Sequence, residues 1–191
     1  MGNREDLLAG ARRVILEQGV AKATAREIAT EAGVSLAAIG YHFGSKEQLI
    51  SEALLQSLGS GIGDAMDEIV AEHAAQPLIE GFAALWNRMP AVFAANREAL
   101  VASLDNAVRA VRDDGAGRDL AAATAHGYDG VAQQLRDARP DLADADVEAV
   151  AKLDYALVQS LGLMWLLNPD ALPTGDELAR AVAVIAETSA D

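Results

Sequence analysis

Between residues 4 and 49 the apolar positions fall into three short groups, each bounded by a capping residue and a glycine. Leu8, Ala11 and Ile15 share one stripe of a helix over Arg4–Gln18, and Gly19 stops it. Thr24-Ala-Arg-Glu27 is a capping box, in which the Thr hydroxyl accepts from the third backbone N–H of a helix and the Glu reaches back to the Thr amide. A second helix is therefore predicted from Ala25. Ile28, Ala29 and Ala32 lie on one of its faces, and Gly33 supplies the left-handed residue that ends it. Ser35 is the next N-cap, a third helix runs from Leu36 to about Phe43, and Gly44 closes it. Ser45-Lys-Glu-Gln48 is another capping box that opens the chain onward. With only Gly33 and Val34 between them, the second and third helices are set at a steep angle, as in a helix-turn-helix. Ile28, Val34, Ile39, Phe43 and Leu49 complete a core under the first helix. At roughly 1.5–3 kcal/mol per buried large side chain, that core barely holds so short a segment alone, so it leans on residues further along the chain.

Downstream the same helical periodicity continues, and the whole chain reads as all-α. One helix runs from Lys46 to about Ala74 and carries Gly59, Gly61 and Gly63, each costing about 1 kcal/mol against Ala. This soft stretch is either a place of close packing or a hinge. Asp64, Asp67, Glu68 and Glu72, with His73 beside them, form an acidic stripe read as a solvated face, with no metal or cofactor expected. Pro77 opens the next helix, where Phe82, Trp86, Met89 and Phe93 form a core stripe and Pro90, unable to bond to Trp86, kinks or ends the helix. A broken helix lined by large side chains is a place for a pocket. Trp86, Met89, Phe93, Asn106, His126 and Tyr128 are its candidate ligand-binding residues.

Asn96–Arg112 and Asp119–Arg136 are the next two predicted helices, separated by Asp113–Gly117; Ala145–Leu167 and Gly175–Thr188 are the last pair. The last pair holds more apolar positions than one buried stripe needs. Leu153, Leu157, Leu161, Met164, Trp165, Leu178, Val182 and Ile185 suggest a second covered face, a subunit interface in which two helices from each chain form a four-helix bundle. The alternative is that these helices close the monomer core.

Net charge changes this picture once it is divided. The chain of 191 residues carries −14, but residues 1–55 hold six Lys or Arg against seven Asp or Glu, leaving −1 there and −13 in the remainder. The acid sits away from the helix-turn-helix, where it does not oppose a phosphate backbone. The absence of cysteine excludes disulfides, thiolate nucleophiles and cysteine-zinc sites. Three histidines without a paired nucleophile, and no HExxH, P-loop or Rossmann signature, argue against an enzyme. The first residues lack a signal segment and Tyr155–Leu167 falls short of the about 18 residues of a membrane span, so a cytoplasmic protein is expected.

Helical geometry assigns the third helix's faces. With Ile39 inward, Ala37 and Tyr41 point outward, Ala38 and Gly40 flank them, and Ser35, Leu36 and His42 lie near the boundary. Tyr41 has a hydroxyl for phosphate or a base edge and a ring for a thymine methyl. Lys46, Thr24 and Arg26 are placed to hold the DNA backbone. These residues also carry a family resemblance: T-x-R-E-I-A-x-E-A-G-V-S, an aromatic and His before Phe43, and S-K-E-x-L resemble the DNA-binding region of the tetracycline-repressor (TetR) family. The resemblance implies a DNA-binding domain over residues 1–47 and a helical ligand-binding and dimerisation domain over 48–191. It further implies a homodimeric, ligand-responsive transcriptional regulator, most often a repressor, that binds a palindromic operator and is released by a small molecule. An activator or ligand-independent regulator of the same fold, and a helical protein-interaction module, are the alternatives. Many relatives carry Tyr where Gly40 stands and polar groups at Leu36 and Ala37, so readout here rests on methyl contacts, backbone N–H groups and DNA shape.

Overall fold

The structure of the protein, a computed structural model, describes residues 3–112 and 114–188, apart from the side chains at 58–60, 114, 116, 119, 123, 126 and 188. Its helices are α1 (Asn3–Gln18), α2 (Ala25–Glu31), α3 (Ala37–Phe43), α4 (Lys46–Leu58), α5 (Asp64–Glu72), α6 (Leu78–Ala95), α7 (Arg97–Arg112), α8 (Asp114–Ala138), α9 (Asp144–Leu167) and α10 (Gly175–Thr188). A π-turn, Gly59–Gly63, follows α4, and a 3-10 turn, Pro169–Ala171, follows α9. No strand occurs among the described residues. The contacts divide the chain into two compact units, the first of residues 1–59 and 98–127, the second of 60–97 and 128–191. Neither is a single stretch of sequence.

In the first unit the local signals act as their chemistry predicts. The Thr24 hydroxyl accepts from the Glu27 amide at 3.2 Å, and the Glu27 carboxylate accepts from the Thr24 amide at 3.0 Å, closing the capping box. The Thr24 hydroxyl also donates to that carboxylate at 2.6 Å, and this bond first and the amide bond second hold the Glu27 carboxyl below its ordinary range. At the other end of α2 the Gly33 amide donates to Thr30 and the Val34 amide to Ala29, a Schellman pair that needs φ +67° at Gly33. Ser45 accepts from the Gln48 amide at 3.0 Å and starts α4. Replacing Thr24 with alanine is expected to cost about 1 kcal/mol, read as a lower denaturant midpoint with an unchanged slope.

The core beneath these helices contains Leu7, Leu8, Ala11 and Ile15 of α1, Ile28 of α2, Ile39 and Phe43 of α3, and Leu49, Ile50 and Leu54 of α4, with Val34 half-buried against it. The expected dependence on later residues is there: Ala102 of α7 belongs to the same cluster. Arg4 places its guanidinium 5.1 Å from the Phe43 ring centre and pairs with Glu52, while Arg13 bonds both the side chain and the carbonyl of Glu31.

Four details differ from the sequence reading. The cap position of α3 falls on Leu36 rather than Ser35; Ala38 and Ile39 donate to the Ser35 and Leu36 carbonyls, three residues back, so a tight first turn replaces the side-chain cap. Helix α6 does not end at Pro90 but continues to Ala95. Helix α8 begins at Asp114, taking in part of the expected Asp113–Gly117 break, where Gly117 approaches the Ala110 carbonyl too closely for a comfortable Cβ. Helix α9 begins one residue earlier than expected, at Asp144, and although the apolar run Tyr155–Leu167 is short, the whole helix is the one described helix long and apolar enough to cross a membrane, with 22% of that window buried in the protein.

The second unit packs α10 chiefly on α6. Leu85, Trp86, Met89 and Phe93 of α6 are fully buried, together with Met66 and Ile69 of α5 and Val147 and Ala151 of α9. At the start of α10, Thr174 and Glu177 make another capping box, legible as T-x-x-E but unused in the sequence reading. Asn87 of α6 clasps the same end, accepting from the Gly175 amide at 2.8 Å and donating to Asp176 at 3.3 Å. In the π-turn, a Cβ on Gly61 would lie 2.0 Å from the Asn96 Oδ1, so close packing accounts for at least this glycine.

Candidate nucleic-acid interface and ligand cavity

Helix α3 is fixed from behind by Ala38, Ile39 and Phe43, all buried. Its other side is open: Tyr41 is 86% exposed, Leu36 is half-exposed, and Ala37 and Gly40 stand beside them. Thr24, Arg26 and Ser35 are exposed as well. His42 is half-buried with its ring edge-on to Tyr41, centres 4.9 Å apart. Two of the expected contacts sit differently. Ala38, assigned to a flank, is in the core, because α3 beds in on Ala38 and Ile39 together rather than on Ile39 alone. Lys46 turns its ammonium to the Ala23 carbonyl at 3.2 Å and lies 3.6 Å from Glu47, so it staples α4 to the start of α2. The open face thus offers one phenol hydroxyl, several methyl-sized contacts, and a guanidinium at its margin.

The second unit holds a cavity of about 250 Å³. Its walls are apolar, drawn from α5, α6, α8, α9 and α10, with Leu78, Phe82, Leu85 and Leu135 prominent. Three ionisable groups reach it: His73, Arg139 and Asp154. His73 donates from Nδ1 to the Ile69 carbonyl at 2.8 Å. Arg139 forks onto Asp141 with bonds of 2.9 and 2.8 Å, which holds the Asp141 carboxyl down at about 2 and raises Arg139. Asp154 is 8% exposed and accepts from the Trp86 indole at 3.2 Å. Burial pushes its carboxyl up to about 7, against a smaller lowering from the Trp86 bond.

The residues expected to bind a ligand are distributed otherwise. Trp86, Met89 and Phe93 are core, and Trp86 lies behind the cavity wall, bonded to Asp154 and with its ring centre 6.2 Å from that of Phe82. Asn106 is buried in the first unit, donating to Ser51 at 3.4 Å and accepting from Arg109 at 2.9 Å, so it belongs to that core and not to the cavity. Tyr128 stacks on Tyr155 with ring centres 4.4 Å apart and lies off the cavity wall. The His126 side chain lies outside the described residues. Of the expected interface residues, Leu161 is buried within the chain, and Leu153 and Val182 line the cavity. Leu157, Trp165 and Leu178 are half-buried; Met164 and Ile185 are exposed. In the acidic stripe Glu72 pairs with Arg88, and no group of three metal-ligating side chains occurs among the described residues.

Residues 7–53, which contain α1 to α3 and most of α4, match the family model of bacterial regulatory proteins, tetR family. Over these residues the chain is similar to the tetR family. A curated relative, the HTH-type transcriptional regulator BetI of Rhizobium meliloti (strain 1021), is 44% identical over 68 residues, a match spanning 36% of this chain and 32% of that protein. The multidrug binding protein EbrR in complex with imidazole shares the fold at a TM-score of 0.64 and 25% identity, over 95% of this chain and 93% of that one. A regulator from Streptomyces coelicolor A3(2) gives a TM-score of 0.61 at 24% identity, over 96% and 97% of the two chains. These relatives are named as regulators and binding proteins, not as enzymes.

The tetR-family match covers every candidate DNA contact but none of the cavity. Sequence reasoning missed Asp154, and a signal for it existed. Val147, Ala151, Asp154 and Leu161 recur at steps of four, three and seven and all are buried, so an acid stands on the core register of α9.

Proposed function

We propose that the protein is a cytoplasmic transcriptional regulator, a repressor, that binds a palindromic operator as a homodimer and leaves it when a small molecule enters the cavity of the second unit. The observation that carries this reading is Tyr41, almost wholly exposed on a helix otherwise anchored in the core and framed by small residues. A large ring held in water by a rigid, capped segment has little structural use and suits a groove. BetI is named a transcriptional regulator, and EbrR is a multidrug binding protein seen with imidazole and with proflavin, which favours a regulator with a small-molecule site. For the homodimer, the support is apolar exposure late in the chain: Leu167 is 77% exposed and Ile185 67%.

A nearly neutral reading head makes few phosphate contacts, so two heads are needed for useful affinity. Fluorescence anisotropy with DNA from upstream of the protein's own gene tests the reading. Sequence-preferring binding is expected, with a shallow salt slope and a mass in solution of two chains. Tyr41→Ala is expected to weaken that binding about tenfold or more while leaving the melting temperature in place. No preference for that DNA over an unrelated duplex would sink the proposal.

A further inference from the structure

Among the described residues on the cavity wall of the second unit, one charge has no opposite partner. Arg139 spends its fork on Asp141, and His73 spends Nδ1 on the Ile69 carbonyl. Asp154, more than nine-tenths buried, has the Trp86 indole as its one hydrogen-bond partner among the described residues. One N–H satisfies only a fraction of what a carboxylate accepts. A buried anion so poorly served is costly unless something completes it, and the open space beside it is where completion would come from.

We propose that this cavity takes a small apolar amine, an organic monocation whose ammonium group pairs with Asp154 while its hydrocarbon body fills the space between Leu78, Phe82, Leu85 and Leu135. The proposal rests on the reading of this cavity as the effector site and names the ligand class for it. Charge selects the class. An organic anion would find the wall's guanidinium already neutralised and would face Asp154. A neutral ligand would leave the carboxylate as it stands, whereas a cation removes the imbalance. Size limits the body: about 250 Å³ exceeds the ~150 Å³ of a cavity that admits benzene, which fits one ring with a short chain. The apolar walls, contributed by α6 and α10 without any ionisable group, bind the hydrocarbon end.

Proton linkage arises from the same arrangement. With its carboxyl raised to about 7 by burial, Asp154 is largely protonated in the empty cavity under mildly acid conditions and must release that proton to hold a cation. Affinity for the amine therefore climbs with pH up to about 7 and then levels. His73 and Arg139 are the other ionisable groups on that wall.

Calorimetry on the full-length protein without DNA separates these effects, using phenethylamine, phenethyl alcohol and hydrocinnamate as cationic, neutral and anionic probes of matched shape. The wild type is expected to bind the amine at least tenfold more tightly than the alcohol at pH 8, the carboxylate least, and to lose on the order of thirtyfold in amine affinity by pH 5.5. Asp154→Asn should bind amine and alcohol alike with no pH dependence, and His73→Gln should keep the wild-type midpoint. Equal binding of amine and alcohol by the wild type at pH 8, tightest binding of the carboxylate, or no binding of any probe overturns the proposal, and none of these needs a folded variant. Adding the amine to the operator complex is a separate readout. Binding without release would overturn the effector reading and leave the amine site standing.

Discussion

Replacing Gly175 with alanine is expected to be the most damaging single-methyl change in the second unit. A Cβ at this position would lie 2.0 Å from the Ala83 carbonyl oxygen, 2.6 Å from the Asn87 amide nitrogen and 2.9 Å from the Ala83 carbonyl carbon. All three are backbone atoms of α6, inside a helix whose hydrogen bonds hold them, so the neighbour has nowhere to go. Either α10 backs away from α6, losing the Asn87 clasp and the burial of Ala179, or the first turn of α10 unwinds. Overpacking a core ordinarily costs about 1–3 kcal/mol, and with main chain as the obstacle the cost should reach the upper end of that range or pass it. A chemical denaturation curve would show it as a lower midpoint, and an unchanged midpoint would mean that α10 does not approach α6 as closely as described. The clash at Gly61 is of a gentler kind, because the Asn96 amide it meets is the tip of a side chain that can rotate.

Asparagine at position 154 is expected to stabilise the protein at alkaline pH and to do little in acid. Burial raises the Asp154 carboxyl from 3.8 to about 7, so between those values the folded chain keeps a proton that the unfolded chain has released. The stability this group contributes is fully present below pH 3.8 and is lost as pH rises through about 7. Across the whole window the loss is on the order of 4 kcal/mol, each pKa unit counting for about 1.4. Asparagine retains an oxygen for the Trp86 indole and never ionises. Thermal melts of both proteins from pH 5 to pH 8 should therefore diverge, with the variant ahead at the alkaline end. Parallel profiles would show that Asp154 is solvated in the folded state. The gain in stability should come with loss of discrimination between amine and alcohol, since the same carboxylate does both.

The helix-turn-helix was legible because its signals are short-range. Thr24 speaks to Glu27 three residues on, and Gly33 ends α2 through bonds to Thr30 and Ala29, so nothing outside the segment had to be known. Where it was misread, the cause was packing: Ala38 faces inward because α3 is pressed against the core by both of two adjacent residues. The cavity was illegible for the opposite reason. Its walls come from five helices, and no spacing within one of them says which faces meet. Asn106 looked like a polar group awaiting a ligand, yet Ser51 and Arg109 already engage it. Pro90 suggested a broken helix, but α6 runs through it, and the cavity lies instead beside Phe82 and Leu85, a turn or more earlier.

The interleaving of the two units bears on how the chain is made. A ribosome delivering this sequence releases α1 to α4 well before α7, so Ala102 and Asn106 are still missing when the reading head first tries to close over Ile50, Leu54 and Ser51. Until then the nascent head has an apolar flank open to water. Its maturation waits on residues such as Asn106, 55 positions beyond its partner Ser51, past a stretch that belongs to the other unit. A truncation after α4 would thus carry every candidate base contact and still be a poor DNA binder, its fold lacking the last piece of its own core.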